Sequence, residues 1–311
     1  MIRRNFLKSL HPLARRFRIS PSLIRARLAD YLMLTKPRVA VLVLFTVACG
    51  ALLAAAGAPN WTVLCHTIIG TALVAGGASA LNQLLERDSD GLMWRTENRP
   101  LPAGRLLPVE VLLFGAALGG AGVAYLALVV RQPLAAVVAT ITFLSYVFVY
   151  TPLKRRTTLN TLIGAVPGAL PPVIGWVAVR GSFDPEIVSL FVVLFLWQVP
   201  HFLAIAWIYR EDYGRAGLCM LPVVDRDGAM SARQMVGYCL ALLPASLMPL
   251  LLGRAGPLYL VGAFALGAGF LSPVLAFWRV RSPARARGVL RASLIYLPAL
   301  LALLLIDGLP R

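Results

Sequence analysis

Long apolar stretches alternate with short polar segments along almost the whole chain. Nine of these stretches are long enough for an α-helix to cross the hydrocarbon core of a bilayer, which takes about 20 residues. The pattern therefore predicts an all-α polytopic membrane protein in which nine transmembrane helices form a bundle around a central cavity. The predicted spans are approximately Val39–Ala58, Trp61–Leu81, Val109–Val130, Pro133–Tyr150, Thr158–Val179, Glu186–Ile208, Met235–Gly253, Pro257–Trp278 and Val289–Ile306.

Composition supports the same class of protein, because 59% of the residues are hydrophobic and only 14% are charged. A soluble globular protein has a far larger charged fraction.

Proline is also frequent inside the predicted spans. The group formed by Pro167, Pro171 and Pro172 predicts a bent fifth helix lining a cavity, because proline removes backbone hydrogen bonds within a helix.

Basic residues predict the orientation, because loops on the cytoplasmic side carry most of the lysine and arginine. In the nine-helix arrangement, 26 of the 30 basic residues fall in the N-terminal segment and in the loops after the second, fourth, sixth and eighth spans. We therefore expect the N-terminus inside and the C-terminus outside. The net charge of +17 then reflects topology and attraction to anionic lipid, and indicates no nucleic-acid partner.

The chain is predicted to consist of a basic cytoplasmic N-terminal tail, residues 1–38, and a nine-helix transmembrane domain, residues 39–311. The tail has the composition of an interfacial membrane anchor, and a mitochondrial transit peptide has a similar composition. Cleavage of a transit peptide would leave little sequence before the first span. This favours a multi-pass protein of the bacterial inner (plasma) membrane over one of the mitochondrial inner membrane.

The first long polar segment, Leu81–Leu101, contains four acidic residues and three arginines. A charged residue costs about 2.5 to 3.5 kcal/mol at the centre of a membrane helix, so this segment is expected at a membrane face. If the second helix continues into it, Asn82, Glu86 and Asp90 lie four residues apart on one face, and Asp88 points away from that face. The alternative is a solvated helix end with ordinary interfacial charge.

A second polar segment follows the sixth predicted span. Glu211 and Asp212 lie at the inner end of this span, and His201 lies within it. An ionisable residue inside a membrane is a candidate functional residue, although a simple interhelical hydrogen bond would also explain the histidine. Lys154 and Arg155 follow the fourth span, on the same predicted face.

Carboxylates and cationic side chains gathered on one face indicate a site for a phosphorylated substrate. Carboxylates alone would repel a diphosphate, but Mg²⁺ commonly joins a few carboxylates to substrate phosphates. Arginine makes bidentate contacts with phosphate, and lysine supplies a compact positive charge. The apolar bundle behind such a site suits a lipid tail.

Four runs of residues, in order along the chain, have the form of known sequence motifs. The first polar segment reads N-Q-L-L-E-R-D-S-D, similar to the aspartate-rich motif N-x-x-x-[DE]-x-x-x-D, and continues as M-W-R-T-E-N-R-P-L. The other runs are L-T-K-P-R at Leu34–Arg38, Y-T-P-L-K-R-R-T at Tyr150–Thr157, and P-H-F with D-Y-G-R-A-G from Pro200. Together the four runs resemble the intramembrane aromatic prenyltransferase superfamily and its protohaem IX farnesyltransferase (haem O synthase) branch. The resemblance covers about Leu34 to Val224.

The resemblance implies transfer of the farnesyl group of farnesyl diphosphate to the 2-vinyl group of haem b, with hydration, giving haem O and diphosphate. It further implies Mg²⁺ as cofactor and, as a partner, haem A synthase or terminal oxidase assembly. By position, the metal ligands would be Asn82, Glu86, Asp90 and Asp212. The catalytic residues would be Asn82, Glu86, Asp90, Arg95 and Lys154. The other substrate-binding residues would be Arg99, Arg155, His201, Asp212 and Glu211.

Two other functions remain open at this point. A second kind of membrane prenyltransferase, acting on an aromatic acid for quinone synthesis, would use the same charged site with a different acceptor. A transporter or assembly factor would use the charges as a gate. Transport sites tend to lie near the bilayer midplane, whereas these charges concentrate at one face, which disfavours this last function.

Overall fold

The computed structural model describes residues 21–308, and these residues form nine helices that are long and apolar enough to cross a membrane. The predicted all-helical fold and its nine spans are confirmed. We number the helices span 1 to span 9. Their bounds are Pro37–Ala55, Trp61–Leu85, Pro108–Leu128, Pro133–Leu153, Asn160–Arg180, Pro185–Ile208, Ala229–Leu251, Pro257–Arg279 and Pro283–Asp307.

Proline marks the beginning of six of the nine spans. At the first position of a helix, proline loses no hydrogen bond and its fixed φ angle already suits the helix. Hydropathy alone ignores this signal, so several predicted spans begin too late. Span 9, for example, begins at Pro283 instead of Val289, because its first turns carry arginines.

Shorter helices occupy the segments that connect the spans. Because consecutive spans run in opposite directions, the segment before span 1 and the loops after spans 2, 4, 6 and 8 all lie at one end of the bundle, which we call the basic end. Four short helices lie in these segments: Pro21–Leu34, Arg87–Asp90, Arg210–Arg215 and Leu221–Val224. The orientation of this end in the membrane and the central cavity stay predictions.

Glycine allows close contact between spans 1 and 5. A β-carbon placed on Gly175 of span 5 would lie 2.0 Å from the carbonyl oxygen of Val47 in span 1. In the opposite direction, a β-carbon on Gly50 would lie 2.1 Å from the carbonyl oxygen of Pro172. Small residues of this kind let membrane helices pack backbone to backbone.

The fifth helix is interrupted beside the predicted prolines, and a bend that lines a cavity stays a prediction. Span 5 consists of two helical segments, Asn160–Ala169 and Pro171–Arg180, which are separated at Leu170. The side chain of Gln198 in span 6 donates a hydrogen bond of 3.3 Å to the carbonyl oxygen of Ala165 in the first segment. The interruption therefore lies close to a contact between spans 5 and 6.

The predicted N-terminal anchor lies partly outside the described residues, because residues 1–20 precede them. Within the rest of the predicted tail, helix Pro21–Leu34 packs against the loop after span 2 and the start of span 3. Its Tyr31 contacts Phe114 of span 3, with 5.0 Å between ring centroids. This contact places the end of the tail beside the polar segments of the basic end.

We predict that Gly175→Ala destabilises the protein, because its β-carbon would overlap the backbone of span 1. Overpacking of this kind typically costs about 1 to 3 kcal/mol, more than the helix propensity gained by replacing glycine with alanine. Gly120→Ala in span 3 is the control, since open space surrounds that position. The melting temperature in detergent should fall for Gly175→Ala alone. Equal melting temperatures for the two variants would contradict the close contact.

Candidate active site

The carboxamide of Asn82 joins three segments of the basic end. This residue is fully buried near the end of span 2. Its Oδ1 accepts a hydrogen bond of 2.8 Å from Nζ of Lys36, which precedes span 1. Its Nδ2 donates a hydrogen bond of 3.0 Å to Oγ1 of Thr151 near the end of span 4. Both functional groups of the amide are therefore used, and the ends of three spans are fixed relative to one another.

A buried ion pair connects Glu86 and Lys154. Nζ of Lys154 donates a hydrogen bond of 2.7 Å to Oε1 of Glu86. Burial acts to raise the pKa of Glu86, but the charges of Lys154 and Lys36 outweigh it and hold that pKa below its usual value. Burial acts to lower the pKa of Lys154, but Glu86 outweighs it and raises that pKa well above the usual range. Both partners are therefore charged at neutral pH.

Asp90 is a buried carboxylate with only one paired oxygen. Its Oδ2 accepts a hydrogen bond of 2.6 Å from Nη1 of Arg99. Its Oδ1 is buried and has no hydrogen-bond partner. Burial raises the pKa of Asp90 although the charge of Arg99 acts in the opposite direction. A buried acceptor without a partner is costly, so this oxygen is suited to a bound cation.

Helical spacing brings Asn82, Glu86 and Asp90 together. Span 2 ends at Leu85, yet the amide of Glu86 still bonds to the carbonyl oxygen of Asn82 at 3.0 Å. The amide of Asp90 bonds in turn to the carbonyl oxygen of Glu86 at 2.7 Å. The side chain of Asp88 is 74% exposed and pairs with Arg87, so it points away from this group.

Lys36 is a site residue that sequence reasoning did not assign. It lies in the left-handed region of the backbone, with φ 49° and ψ 61°. A residue other than glycine rarely adopts this conformation, and such strain gathers at functional sites. Burial of its ammonium group, together with the charge of Arg99, lowers the pKa of Lys36 to about 7. The sequence feature that could have identified Lys36 is its position in the L-T-K-P-R run, directly before the first span and at the basic end.

Helix Pro21–Leu34 supports the site from outside. Its Asp30 is buried and accepts hydrogen bonds of 2.9 and 3.2 Å from Nε of Arg105. Nη2 of Arg105 donates a further hydrogen bond of 3.0 Å to the carbonyl oxygen of Asn98, which directly precedes Arg99. This network fixes the loop that carries Arg99.

Asp212 is not brought into this group. It forms an ion pair with Arg215 of its own short helix. The guanidinium of Arg215 lies over the ring of Trp94, 3.8 Å from its centroid, and so connects the loops after spans 2 and 6. Among residues 21–308, no three His, Cys, Asp or Glu side chains lie close enough together to hold one metal ion. The structure therefore offers Glu86 and Asp90 as the adjacent carboxylates.

Three of the remaining predicted residues are exposed at the basic end. The guanidinium of Arg95 is exposed and lies 5.1 Å from the ring centroid of Tyr209. Burial raises the pKa of Tyr213, whereas the charges of Arg95 and Lys154 act to lower it. This tyrosine is therefore close enough to both residues to interact with them electrostatically. Glu211 and Arg155 are exposed at the surface of the basic end.

His201 lies deeper in the bilayer region than the charged group. It is seven residues from the end of span 6, which corresponds to about 10 Å along the helix. Its Nδ1 is 2.8 Å from Oγ of Ser293 in span 9, and that hydroxyl donates to the carbonyl oxygen of Leu290. If the hydroxyl proton is given to Leu290, Nδ1 of His201 donates to Ser293 and Nε2 keeps its lone pair, and this is the tautomer that we assign. Trp197 stacks on the imidazole at 4.9 Å.

The model of the UbiA prenyltransferase family matches residues 43–297. Among the relatives, a protoheme IX farnesyltransferase of Solibacter usitatus is 50% identical over 89% of this chain and 98% of its own length. A protoheme IX farnesyltransferase of Koribacter versatilis is 43% identical over 91% of this chain and 94% of its own length.

Solved structures share the fold at much lower identity. A digeranylgeranylglyceryl phosphate synthase has a TM-score of 0.76 and 18% identity, with 91% of this chain and 99% of that chain covered. A UbiA homologue from Archaeoglobus fulgidus, bound to GPP and Mg²⁺, has a TM-score of 0.60 and 16% identity, with 88% and 99% covered. These likenesses establish the architecture.

We predict a pH-dependent stability difference between the wild type and Lys36→Met, measured without ligand and in the presence of chelator. The pKa of Lys36 is about 7 in the folded protein and near 10.4 in the unfolded chain, so the unfolded chain binds more protons between these values. The wild type should therefore gain about 2 kcal/mol relative to the variant as the pH rises from 7 to 9.

Lys154→Met is the control for this measurement. Because the pKa of Lys154 is raised, its folded and unfolded forms are both protonated over this pH range. The difference between wild type and Lys154→Met should change less between pH 7 and 9 than the difference for Lys36→Met, because over this range Lys154 acts only through the effect of its charge on Lys36. Denaturant unfolding at both pH values checks this, and a flat difference for Lys36→Met would contradict the lowered pKa.

Proposed function

The chain belongs to the UbiA prenyltransferase family, and we propose that it transfers the farnesyl group of farnesyl diphosphate to the 2-vinyl group of haem b. The products are haem O and diphosphate. The similarity to protoheme IX farnesyltransferases over most of the chain supports this reaction. The observation that carries the proposal is the buried Asp90, whose unpaired oxygen lies in a group with Glu86 and three cationic side chains.

Mg²⁺ fits this group. The unpaired Oδ1 of Asp90 and the carboxylate of Glu86 are hard oxygen ligands, which Mg²⁺ prefers. The A. fulgidus homologue binds Mg²⁺ together with a prenyl diphosphate. We assign Glu86, Asp90 and Asn82 to the metal, and Oδ1 of Asn82 would first have to leave Lys36. Asp212 remains a further proposed ligand, which would first have to leave Arg215. When bound, the metal would offset negative charge on the leaving diphosphate.

The cationic side chains would hold the diphosphate. Lys36, Lys154 and Arg99 interact electrostatically with one another and with the carboxylates Glu86 and Asp90. When Lys36 is protonated, three cations against two carboxylates leave this group with one positive charge, and a bound anionic substrate would favour that protonated form. Donors of this kind lie where negative charge develops on the leaving group. They lower the activation barrier because they do not have to rearrange during the reaction. Arg95 and Arg155 would extend the contact at the rim, and Glu211 remains a proposed substrate-binding residue.

The reaction breaks the bond between the allylic carbon and the diphosphate oxygen, and the electron pair leaves with diphosphate. The vinyl group of haem forms the new carbon–carbon bond through its terminal carbon. The other vinyl carbon becomes positively charged, takes up water and releases a proton, which gives the alcohol. Apolar walls of the bundle limit competing capture of the farnesyl cation by water.

We assign His201 to the haem acceptor. Its Nδ1 is fixed by Ser293, so Nε2 presents a lone pair that can ligate haem iron or steer the vinyl group. Trp197 supplies a flat apolar surface beside it. The interhelical hydrogen bond expected as the alternative is therefore present, and it also orients the ring.

The alternative acceptor, an aromatic acid for quinone synthesis, is disfavoured by the high identity to protoheme IX farnesyltransferases. A transporter is disfavoured because the charged group lies at the ends of spans 2 and 4 and not at their centres.

The protein is a multi-pass membrane protein. Its placement in a bacterial inner membrane and an association with haem A synthase or a terminal oxidase assembly are further parts of the proposal.

We predict that the purified protein, given haem b, labelled farnesyl diphosphate and Mg²⁺, produces labelled haem, and that chelator abolishes this product. Extraction and chromatography of the haem measure the transfer. Parallel reactions contain hydroxybenzoate as acceptor. Label in hydroxybenzoate and none in haem would support the quinone pathway. Absence of transfer to both acceptors would contradict a prenyltransferase.

We predict that Glu86→Gln and Asp90→Asn each lower kcat by about 10²-fold or more, because both remove charge where the metal and diphosphate bind. Asp88→Asn, a matched control at the exposed position between them, should change kcat by less than about threefold, since surface charges contribute little. All three variants should remain in the membrane at wild-type amounts. Similar losses for all three would show that the side chains do not act from one face.

A further inference from the structure

Two buried hydrogen-bond donors lack acceptors at the basic end, outside the group described above. They are Nε1 of Trp207 at the end of span 6 and Nη1 of Arg210 in the following short helix. The guanidinium carbon of Arg210 lies 4.4 Å from the ring centroid of Trp207. A buried donor without a partner costs about 1 to 3 kcal/mol, and a charged donor costs more. Two such donors side by side therefore indicate an acceptor in the working protein.

The surroundings of Trp207 are rigid and basic. Its ring packs edge to face on Phe277 of span 8, with 5.3 Å between centroids. A β-carbon on Gly228, which has a φ of 71°, would lie 2.5 Å from the indole and 3.2 Å from Cδ of Arg281. Arg281 itself donates to the carbonyl oxygen of Asp227. The indole is therefore fixed, and a second arginine lies beside it.

Nearby carboxylates do not supply the missing acceptor. Asp212, on the same short helix as Arg210, is paired with Arg215. The adjacent Glu211 is exposed. Because Nη1 of Arg210 and Nε1 of Trp207 both remain unpaired in this setting, the acceptor that fits them is an oxyanion from outside the protein.

We propose that Arg210 and Trp207 form a subsite for a carboxylate of haem, namely one of its propionates. A guanidinium and a second N–H donor match the two oxygens of a carboxylate. Trp207 lies six residues beyond His201 on span 6, about 9 Å along the helix and about 120° around it, so the haem would have to contact both side chains from the sector between them. The propionate would then lie at the membrane face and the apolar ring within the bundle. This subsite rests on the proposed haem acceptor.

The test compares haem b with its dimethyl ester, which lacks the carboxylates. The full-length protein, in nanodiscs of phosphatidylcholine, is titrated with each compound and followed by absorbance. Arg210→Gln should weaken haem binding and raise the KM for haem by about tenfold, because a hydrogen bond to a charged group is lost. The KM for farnesyl diphosphate should not change. The ester should bind the wild type and Arg210→Gln with equal affinity.

Three further variants secure the interpretation. Trp207→Phe keeps the aromatic packing but removes one donor, so haem binding should weaken by a smaller factor. Arg210→Lys keeps the charge and should fall between wild type and Arg210→Gln, which also shows that the fold tolerates substitution at this position. Arg226→Gln, at an exposed arginine of the same loop, should match the wild type.

Several outcomes would overturn the subsite. These are unchanged haem affinity in Arg210→Gln, equal weakening for haem and its ester, or a raised KM for farnesyl diphosphate. In nanodiscs containing phosphatidylglycerol, weaker retention of this lipid by Arg210→Gln with unchanged haem affinity would assign the donors to a lipid head group. A wild type that neither binds haem nor transfers farnesyl would overturn the proposed function as well. If the wild type binds haem and transfers farnesyl, and Arg210→Gln does both equally well, only the subsite would be overturned.

Discussion

The ion pair between Lys154 and Glu86 determines how the basic end is assembled. Its partners belong to the ends of spans 4 and 2, which are 68 residues apart in sequence. Removing either partner would leave a buried charge without compensation, which is far costlier than losing an exposed pair. The end of span 4 is therefore held against span 2. The adjacent hydrogen bonds of Asn82 extend the same arrangement to Lys36 and span 1.

This arrangement is electrostatically incomplete in two places. Asp90 has an unpaired oxygen and a raised pKa, while Lys36 has a strained backbone and a lowered pKa. Burial disfavours the charged form of both groups, so a bound cation and a bound anion would each relieve one of them. A stability-optimised bundle would have no reason to keep both features within one group. Their coexistence is what a site for a metal–diphosphate pair requires.

The number of spans could be predicted because the bilayer thickness fixes the length of every apolar stretch. The grouping of Asn82, Glu86 and Asp90 could be predicted because the helical repeat alone places them on one side. Helix beginnings such as Pro283 were missed, since hydropathy does not register the proline signal. Lys36 was missed for a different reason. Its role depends on a left-handed backbone and a contact with Asn82, and neither is encoded in local periodicity.

The loop after span 6 shows why charge alone does not identify a ligand. Asp212 was expected beside the first carboxylates from its position in a motif, yet a closer partner, Arg215, lies one helical turn away. The same short helix carries Arg210, which has an unpaired donor and whose guanidinium lies over the ring of Trp207. A satisfied acid thus lies only two positions from an unsatisfied base. Because an isolated buried donor is costly whereas an ion pair is not, the unsatisfied arginine is the more informative residue about the second substrate.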